Sequence, residues 1–389
     1  MKLLVINDAG IKGGGAENRI RLLLVEFQKR GFFEEIHILQ SKTEAVDKTG
    51  GFIIHTVDPG YISSYRATAR VINKTGIDIV QTHNMLALTP SGILAAHELK
   101  IPIVWFAHDY WPLCAKRSFI DPYEASKKQL CKKTSFLHCV DCSGLKTQVR
   151  LWGFRQVLGK SDLSVASCNF VKNLYESHNF LKGKWEVVKP WVETDCFLSR
   201  AEVKRDSSVV FTGSLLDYKG AWVLAEAFIE VIKVLPDARL KFAGSEQEFN
   251  SRHRKRLDDI FSKYGVANRV KFLGYLNWDK LLELYKGSGV YACPTVCMES
   301  FGLNWAEAMA AGCPVVASDI GSLPDFLKGR AILVTPRDKD KLAEGIISVL
   351  KDKSLAEELS RKGIEYIENN FRVKHSADEI LNLYSHLLN

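Results

Sequence analysis

Two glutamates lie in one apolar segment of the sequence, PTVCMESFGLNWAEAMAAG at 294–312. The preceding run GVYACP predicts a strand, and Leu303 to Ala311 predicts a helix that Gly312 ends. Glu299 then lies in the strand-to-helix loop and Glu307 on the helix. Carboxylates accept hydrogen bonds from hydroxyl groups, and N–H groups at a helix N-terminus attract anions. The segment therefore indicates a site for a polyhydroxylated phosphate ligand. The alternative is that Glu299 is an ordinary loop residue and Glu307 a solvated helix residue.

A lysine at the beginning of a helix gives a second indication. The segment FTGSLLDYKG, 211–220, predicts a strand, Gly213, a short loop and then Lys219 at a helix N-terminus. A positive charge there opposes the helix dipole, so it does not favour local stability. A diphosphate bound beside Lys219 would explain the residue, and a solvated lysine explains it equally well.

Three consecutive glycines follow the first predicted strand, in NDAGIKGGGAENRI. They allow close backbone approach, and the helix that follows offers N–H groups to an anion. The spacing is not that of a dinucleotide fingerprint, which needs G-x-G-x-x-G and usually an acidic residue after the second strand, where this chain has Leu39-Gln40. We expect an anion site here, with a tight turn as the alternative.

Two histidines each follow a predicted strand of the first half. His83-Asn84 comes after IDIVQT, and His108-Asp109 after IPIVWFA. Ligands bind beyond the carboxyl ends of the strands in open α/β sheets, so both pairs are candidate site residues. A histidine held by the backbone of its own turn is the other interpretation of His83.

Strands and helices must alternate to position these loops. Six apolar runs in the first half (KLLVIN, EIHIL, FIIHTV, IDIVQT, IPIVWFAH, DLSVAS) and six in the second (SVVFTG, ARLKFAG, RVKFLG, GVYACP, PVVAS, AILVTP) are separated by helical patterns. This pattern predicts an α/β protein with two Rossmann-like, doubly wound domains facing across a cleft. We expect domains at 1–189 and 190–372, and an amphipathic helix at 373–389 that packs back on the first domain.

Composition limits the classes of binding partner and the cellular location that we expect for this protein. The 389 residues carry a net charge of +8, which favours anionic partners. No zinc-finger spacing or basic-aromatic block points to nucleic acid. No apolar run reaches the roughly 18 residues of a membrane span, and MKLLVINDAG does not resemble a signal peptide, so we expect a cytoplasmic protein.

Four of the nine cysteines fall within the predicted insertion 110–146, after the His108 strand. They are Cys114, Cys131, Cys139 and Cys142. Four thiolates can hold a structural zinc ion, and reduced cysteines in a loop are the alternative. The same insertion contains Lys127, Lys128, Lys132 and Lys133, which could meet an anionic lipid-linked acceptor or membrane headgroups, or form a solvated face.

These motifs together resemble a known family. Glu299 and Glu307 with F-G-L between them, preceded by CPT and followed by EAMAAGCPVVASDIGSLPD, are similar to the donor-site signature of family 4 retaining glycosyltransferases. FTGSLLDYKG, RVKFLGYL and GGGAEN occur in that family's order, so the resemblance covers almost the whole chain. It implies the GT-B fold, a hexosyltransferase-type activity in EC class 2.4 and no metal requirement for catalysis.

The resemblance also implies roles for particular residues. Glu307 would hold the ribose hydroxyls of a nucleotide sugar, Glu299 the hydroxyls of the transferred sugar, and Lys219 the diphosphate, while His108 would lie beside the reacting centre. The other implied donor residues are Gly15, Gly213, Ser214, Tyr275, Leu276, Phe301, Gly302 and Leu303. We place Gly14, Asn18, His83, Asn84 and Asp109 on the acceptor side.

Two positions depart from the family pattern. Ser214 stands where the family commonly has an arginine that helps the lysine to hold the diphosphate, and Pro190-Trp191 replaces an interdomain asparagine-glycine turn. The expected function is retaining transfer from a nucleotide sugar, most simply a UDP-sugar, to a carbohydrate or lipid-linked saccharide acceptor in polysaccharide or glycoconjugate biosynthesis. A sugar-nucleotide epimerase or hydrolase of this architecture, or a non-catalytic nucleotide-sugar-binding protein, is the alternative.

Overall fold

The computed structural model of the chain describes residues 1–11, 15–41, 51–116, 119, 131, 135–181, 183–193, 205–244 and 252–388. The chain forms two compact units. One consists of Met1–Trp191 together with Val373–Asn389, and the other of Val192–Arg372. The first segment of the first unit thus ends at Trp191, two residues after the predicted boundary at 189.

The first unit contains a seven-stranded parallel sheet in the order β3-β2-β1-β4-β5-β6-β7. Its strands are β1 (Lys2–Ile6), β2 (Glu35–Ser41), β3 (Ile53–Val57), β4 (Ile79–Thr82), β5 (Ile103–Phe106), β6 (Leu163–Ala166) and β7 (Trp185–Val187). Between them lie α1 (Gly15–Lys29), α2 (Tyr61–Thr75), α3 (Ser91–Glu98), α4 (Phe136–Ser143), α5 (Leu145–Leu158) and α6 (Asn169–Ser177). The central strands are buried on both faces, as their apolar runs predict.

The second unit contains a six-stranded parallel sheet in the order β10-β9-β8-β11-β12-β13. Its strands are β8 (Ser208–Thr212), β9 (Arg239–Ala243), β10 (Val270–Phe272), β11 (Val290–Cys293), β12 (Val315–Ser318) and β13 (Ile332–Val334). Its helices are α7 (Ala221–Val234), α8 (Arg252–Lys263), α9 (Trp278–Gly287), α10 (Leu303–Ala310), α11 (Leu323–Leu327), α12 (Lys339–Lys351) and α13 (Lys353–Asn370). The two doubly wound sheets confirm the predicted fold class.

Strand order reverses once in each sheet, between β1 and β4 in the first and between β8 and β11 in the second. At such a switch point the two adjacent strands send their following loops in opposite directions and leave a crevice at the carboxyl edge. The loops after β1 and β4, and those after β8 and β11, are among the segments that the sequence selects as candidate sites. None of the helices in the described part of the chain has both the length and the apolar character needed to span a bilayer.

The last helix, α14 (Val373–Leu388), belongs to the first unit. Its apolar face joins the core formed by α1 and the sheet, where Ile380 and Tyr384 are buried with Phe27 and Phe33. The Tyr384 ring packs edge-on against Phe27, with 6.2 Å between the ring centroids. This is the packing that the amphipathic pattern of 373–389 predicts.

Candidate functional site

Lys219 and Glu299 form an ion pair at the switch point of the second sheet. Lys219 ends the 3₁₀ turn Asp217–Lys219 after β8, and Glu299 lies in the loop after β11. The Lys219 Nζ atom is 2.7 Å from Glu299 Oε1. The same carboxylate oxygen accepts a hydrogen bond of 3.2 Å from the Thr295 hydroxyl. The fold therefore brings together two charged groups that are 80 positions apart in the sequence.

The ion pair keeps Lys219 protonated. Burial by itself lowers the pKa of the ammonium group, but the charge of Glu299 and its hydrogen bond outweigh burial and raise that pKa above its ordinary value. The lysine side chain retains about a third of its exposure and the glutamate about an eighth. A permanent positive charge thus remains accessible at the carboxyl edge of the sheet.

Close backbone contact holds the Lys219 turn against the loop of Glu299. Gly220 has a φ of 75°, and a Cβ atom on it would lie 1.8 Å from the Pro294 carbonyl oxygen. Any other residue at this position would push the turn away from the loop after β11. The Val296 N–H also donates to the Tyr218 carbonyl at 2.9 Å. Gly220 therefore allows the close approach of Lys219 to Glu299.

The loop after β12 supports Glu299 from its other side. The Ser322 N–H donates to the Glu299 carbonyl at 3.1 Å. Gly321 has a φ of 62°, and a Cβ atom on it would lie 2.7 Å from the Glu299 amide nitrogen. Because both the backbone and the side chain of Glu299 are held, its carboxylate has a defined position.

Glu307 is a buried acid on α10. Its carboxylate accepts a 3.5 Å hydrogen bond from the Tyr285 hydroxyl, which is also 2.7 Å from the Thr212 hydroxyl. Burial, offset in part by the hydrogen bond from Tyr285, raises the pKa of Glu307 from 4.5 to about 7. The solvated helix residue considered as an alternative does not describe Glu307, whose position is 8% exposed.

Asn304 ties the start of α10 to the end of β8. Its side-chain amide donates to the Thr212 carbonyl at 2.7 Å and to the Thr212 hydroxyl at 2.9 Å. Gly213, next to Thr212, passes so close that a Cβ atom would lie 3.2 Å from this amide nitrogen. Thr212, Tyr285 and Asn304 do not appear among the residues that the sequence selects. Their positions in a strand or on helices look like ordinary core or cap positions.

The segment between the two glutamates lies at the N-terminus of α10. Gly302 directly precedes the helix with a φ of 84°, and Leu303 is its first residue. The Phe301 side chain is buried and packs edge-on against Trp305 at 5.1 Å. It anchors the loop, so that any ligand contact from Phe301 has to come from its backbone.

The remaining donor candidates lie on neighbouring loops of the same edge. Tyr275 is 74% exposed in the loop after β10, and Leu276 beside it is partly buried. The Ser214 hydroxyl bonds to the Tyr218 hydroxyl, so it does not take the place of a missing cation. Two basic groups of α8 do reach the Lys219 turn, because His253 Nδ1 and Arg256 Nη1 each lie 3.3 Å from Asp217 Oδ1.

The first unit brings its two candidate histidines into contact. His83 Nδ1 is 2.7 Å from His108 Nε2, and the rings stack at 4.9 Å. Burial and, to a smaller extent, the positive charge of Arg19 lower the pKa of His83 to about 3. Burial, His83 and Arg19 likewise lower the pKa of His108. Both imidazoles are therefore neutral near pH 7.

Other acceptor-side candidates have structural partners. Asn84 joins the loops after β1 and β4, since its N–H donates to the Asn7 side chain at 3.1 Å. The Asp109 carboxylate accepts from the Trp111 N–H at 3.0 Å within its own turn. Asn18, on α1, accepts a 3.0 Å hydrogen bond from Arg21. Gly15 is the exposed first residue of α1, and Gly14 lies outside the described residues.

The four clustered cysteines are in the thiol form and of intermediate burial. Cys131 Sγ lies 3.6 Å from His138 Nε2. Burial raises the pKa of Cys139, and Cys114 and Cys142 lie near enough to raise it further. Within the described ranges, no three His, Cys, Asp or Glu side chains converge as metal ligands would. The described side chains do not form the tetrahedral zinc site, which stays a prediction. Lys127, Lys128, Lys132 and Lys133 lie outside the described residues.

Two protein-family models together match nearly the whole chain. The model described as Glycosyltransferase Family 4 matches residues 13–196, and the model described as Glycosyl transferases group 1 matches residues 198–366. The chain belongs to glycosyltransferase family 4. This membership confirms the resemblance inferred from the motifs. Lys219, Glu299 and Glu307 all lie in the region that the group 1 model matches.

This family 4 glycosyltransferase has several curated relatives. It is 32% identical over 217 residues to an uncharacterized glycosyltransferase of Methanocaldococcus jannaschii, an alignment that covers 55% of this chain and 53% of the relative. It is 29% identical over 251 residues to the D-inositol 3-phosphate glycosyltransferase of Mycolicibacterium smegmatis, covering 61% of this chain and 56% of the relative. The chain thus spans about half the length of the curated relatives it matches.

Solved structures share the fold of this glycosyltransferase. Sucrose-phosphate synthase from Thermosynechococcus elongatus superposes with a TM-score of 0.76 at 18% identity, over 99% of this chain and 98% of that one. Anabaena HepE, solved in complex with UDP and glucose, gives a TM-score of 0.75 at 18% identity, over 99% and 100% of the two chains. At this level of identity the likeness shows the GT-B fold alone.

Proposed function

We propose that this chain transfers a sugar from a nucleotide-sugar donor to a hydroxyl group of an acceptor. The observation that carries the proposal is the Lys219–Glu299 ion pair at the switch point of the second sheet, with 2.7 Å between Nζ and Oε1. A fixed cation suits a diphosphate, and a fixed carboxylate beside it suits the hydroxyl groups of the attached sugar. Family membership supports the same chemistry.

Each donor residue is assigned the group that its chemistry fits. Lys219 would neutralise the diphosphate, Glu299 would accept hydrogen bonds from the transferred sugar, and Glu307 would accept them from the ribose. The backbone N–H groups of 301–303, at the N-terminus of α10, would donate to the sugar or the phosphates. Tyr275, exposed after β10, would border the base. Because Ser214 replaces an arginine, Arg256 is the cation that we propose assists Lys219.

UDP is the nucleotide that we propose. The support is the HepE structure, which has the same fold and contains UDP and glucose. The acceptor is proposed to be a carbohydrate or a lipid-linked saccharide, as in polysaccharide or glycoconjugate biosynthesis. Its site would lie in the first unit near His83, Asn84 and His108, where neutral imidazoles can exchange hydrogen bonds with hydroxyl groups.

Transfer is proposed to retain the anomeric configuration. The acceptor oxygen would form its bond to the anomeric carbon on the face from which the nucleoside diphosphate leaves, and a phosphate oxygen of the leaving group would take the acceptor proton. The protein's part is then to align the reactants and to stabilise negative charge on the diphosphate. Lys219 has the charge and the accessibility for the second task.

A donor panel followed by product analysis tests the proposal. We expect UDP and a UDP-sugar to raise the melting temperature of the chain more than GDP- or ADP-sugars. A ligand present at about 100 times its dissociation constant stabilises the folded state by about 2.7 kcal/mol. Proton NMR of the first product should show the anomeric configuration of the donor. Free sugar released without acceptor would indicate a hydrolase, an altered donor sugar an epimerase, and binding without any turnover a non-catalytic protein.

We also propose that the first unit contacts the inner face of the cytoplasmic membrane. Helix α5 carries an exposed apolar stripe, Leu145, Val149 and Trp152, at helical spacing, and Trp152 is 61% exposed. Phe136 and Leu137 on the adjacent α4 are exposed too. Exposed Lys146 and Arg150 lie beside the stripe on α5. An aromatic-aliphatic stripe next to basic residues suits an anionic lipid surface.

Vesicle binding tests the membrane contact. The double substitution Leu145→Ser/Trp152→Ser is expected to weaken co-sedimentation with phosphatidylglycerol vesicles roughly tenfold or more, since each exposed side chain contributes on the order of 1–3 kcal/mol when it enters the lipid interface. Tyr264→Ser removes an exposed aromatic residue of the second unit and should leave binding unchanged. Equal binding of the double variant and the wild type would contradict this contact.

A further inference from the structure

Four polar side chains form one hydrogen-bonded chain inside the first unit. The Tyr384 hydroxyl on α14 bonds to the Gln81 Oε1 atom on β4. Gln81 Nε2 is 2.6 Å from His83 Nε2. His83 Nδ1 is in turn 2.7 Å from His108 Nε2. Tyr384, Gln81 and His83 are fully buried, whereas His108 is partly exposed after β5.

The chemistry of the groups gives this chain one direction. An amide oxygen can only accept a hydrogen bond and an amide NH₂ can only donate one. The Tyr384 hydroxyl therefore donates to Gln81 Oε1, and Gln81 Nε2 donates to His83 Nε2. His83 Nε2 then carries no proton, so a neutral His83 carries its proton on Nδ1 and donates it to His108 Nε2. The proton of a neutral His108 is left on Nδ1.

Both rings have to be neutral for this direction to hold, because an imidazolium donates from both nitrogens. Burial, followed by the positive charge of Arg19, lowers the pKa of His83 to about 3. The same causes, with His83, lower the pKa of His108. Arg19 lies in the same unit, where its guanidinium stacks over the Trp191 ring at 4.9 Å. The imidazole rings of His83 and His108 therefore each carry one proton throughout the neutral pH range.

We infer that Gln81 and Tyr384 are positioning residues that hold His108 in its Nδ1–H tautomer. His108 would then present a hydrogen-bond donor from Nδ1, while its Nε2 atom is occupied by His83. Such a donor suits a hydroxyl or carbonyl oxygen of a sugar ligand, and the reverse tautomer would offer it an acceptor instead. This use of the tautomer by a sugar rests on the proposed function, whereas the tautomer itself does not. The inference also gives α14 a role beyond packing, because Tyr384, which begins the hydrogen-bonded chain, lies on this helix.

NMR of the intact protein labelled with ¹⁵N-histidine tests the tautomer directly, because protonated and bare ring nitrogens differ in chemical shift. The His108 signals are assigned by their loss in His108→Gln. We expect wild-type His108 to carry its proton on Nδ1. Gln81→Leu and Tyr384→Phe should add the Nε2–H form, because the amide that orients His83 is removed in the first variant and released in the second. Tyr65→Phe, which loses a surface hydroxyl bond to Glu98 in the same unit, should leave the tautomer unchanged.

Steady-state kinetics supply the second measurement. With the best UDP-sugar, Gln81→Leu is expected to lower kcat roughly tenfold and Tyr384→Phe about threefold, with little change in the donor KM, because one hydrogen bond to the sugar is weakened. Wild-type His108 protonated on Nε2, or a tautomer that neither Gln81→Leu nor Tyr384→Phe changes, would overturn the inference. An Nδ1–H tautomer that shifts in both variants of a chain without transfer activity would support the hydrogen-bond chain and reject the proposed function.

Discussion

Lys219→Gln is expected to lower kcat for sugar transfer by roughly 10²–10³, while the dissociation constant for UDP rises much less. Negative charge on the diphosphate grows as the bond to the sugar breaks, so a cation beside it stabilises the transition state more than the bound donor. The Lys219 ammonium is held in the charged form by Glu299. Initial rates and calorimetric titration with UDP separate the two effects.

A matched control is available on the surface of the same unit. Lys233 pairs with Glu230 at 2.7 Å, the same distance as the Lys219–Glu299 pair, but it lies at the far end of α7. Lys233→Gln should therefore leave kcat unchanged. Glu299→Ala should also reduce turnover strongly, because the sugar loses its hydroxyl acceptor and Lys219 loses its anchor. Full transferase activity in Glu299→Ala would refute the role assigned to this residue.

Glu307→Gln is expected to stabilise the free chain above pH 7. The folded-state pKa of Glu307 is raised from 4.5 to about 7, so its favourable contribution is complete below the unfolded pKa and is lost as the pH rises through 7. Near pH 8 the buried carboxylate then lowers the free energy of unfolding by about 3 kcal/mol relative to a neutral group. Calorimetry should show a higher melting temperature for Glu307→Gln at pH 8 and a smaller difference at pH 6.

The same substitution is expected to weaken UDP binding. A carboxylate accepts hydrogen bonds from ribose hydroxyls, so UDP should prefer the ionised form of Glu307, and affinity should fall as the pH drops below about 7. Titration calorimetry at pH 6, 7 and 8 measures this dependence. In the Glu307→Gln variant, the pH dependence of the UDP affinity reflects the ionisation of the UDP phosphate alone. An identical pH dependence in the variant and the wild type would exclude ribose binding by Glu307.

The fold and the loops of interest could be predicted from the sequence because parallel strands leave few alternatives. Each apolar run predicted as a strand lies on one, and adjacency of β8 and β11 brings Lys219 to Glu299 across 80 positions. The rule that ligands bind beyond the carboxyl ends of strands selects the loops containing both residues. It does not give side-chain distances, since these depend on contacts such as Gly220 against Pro294.

Other features could not be predicted because the sequence pattern has two physical meanings. Gln81 lies in an apolar strand, where a polar residue can be a core exception or a functional one, and its partner Tyr384 is 303 positions away. The burial of Glu307 depends on how α10 packs, and the helical period alone allows a solvated residue at that position. Arg19, which affects the charge state of both histidines, looks like an ordinary residue of an amphipathic helix.

The return of α14 to the first unit has a consequence for biosynthesis. Ile380 and Tyr384 complete a core whose other members, such as Phe27 and Phe33, are synthesised before residues 192–372. Residues 192–372 form a separate compact unit and leave the ribosome before α14 does. The second unit can therefore fold first, while the groove of the first unit that receives α14 stays open until α14 has been synthesised. A stop codon before α14 would expose that apolar groove permanently and make the shortened chain prone to aggregation.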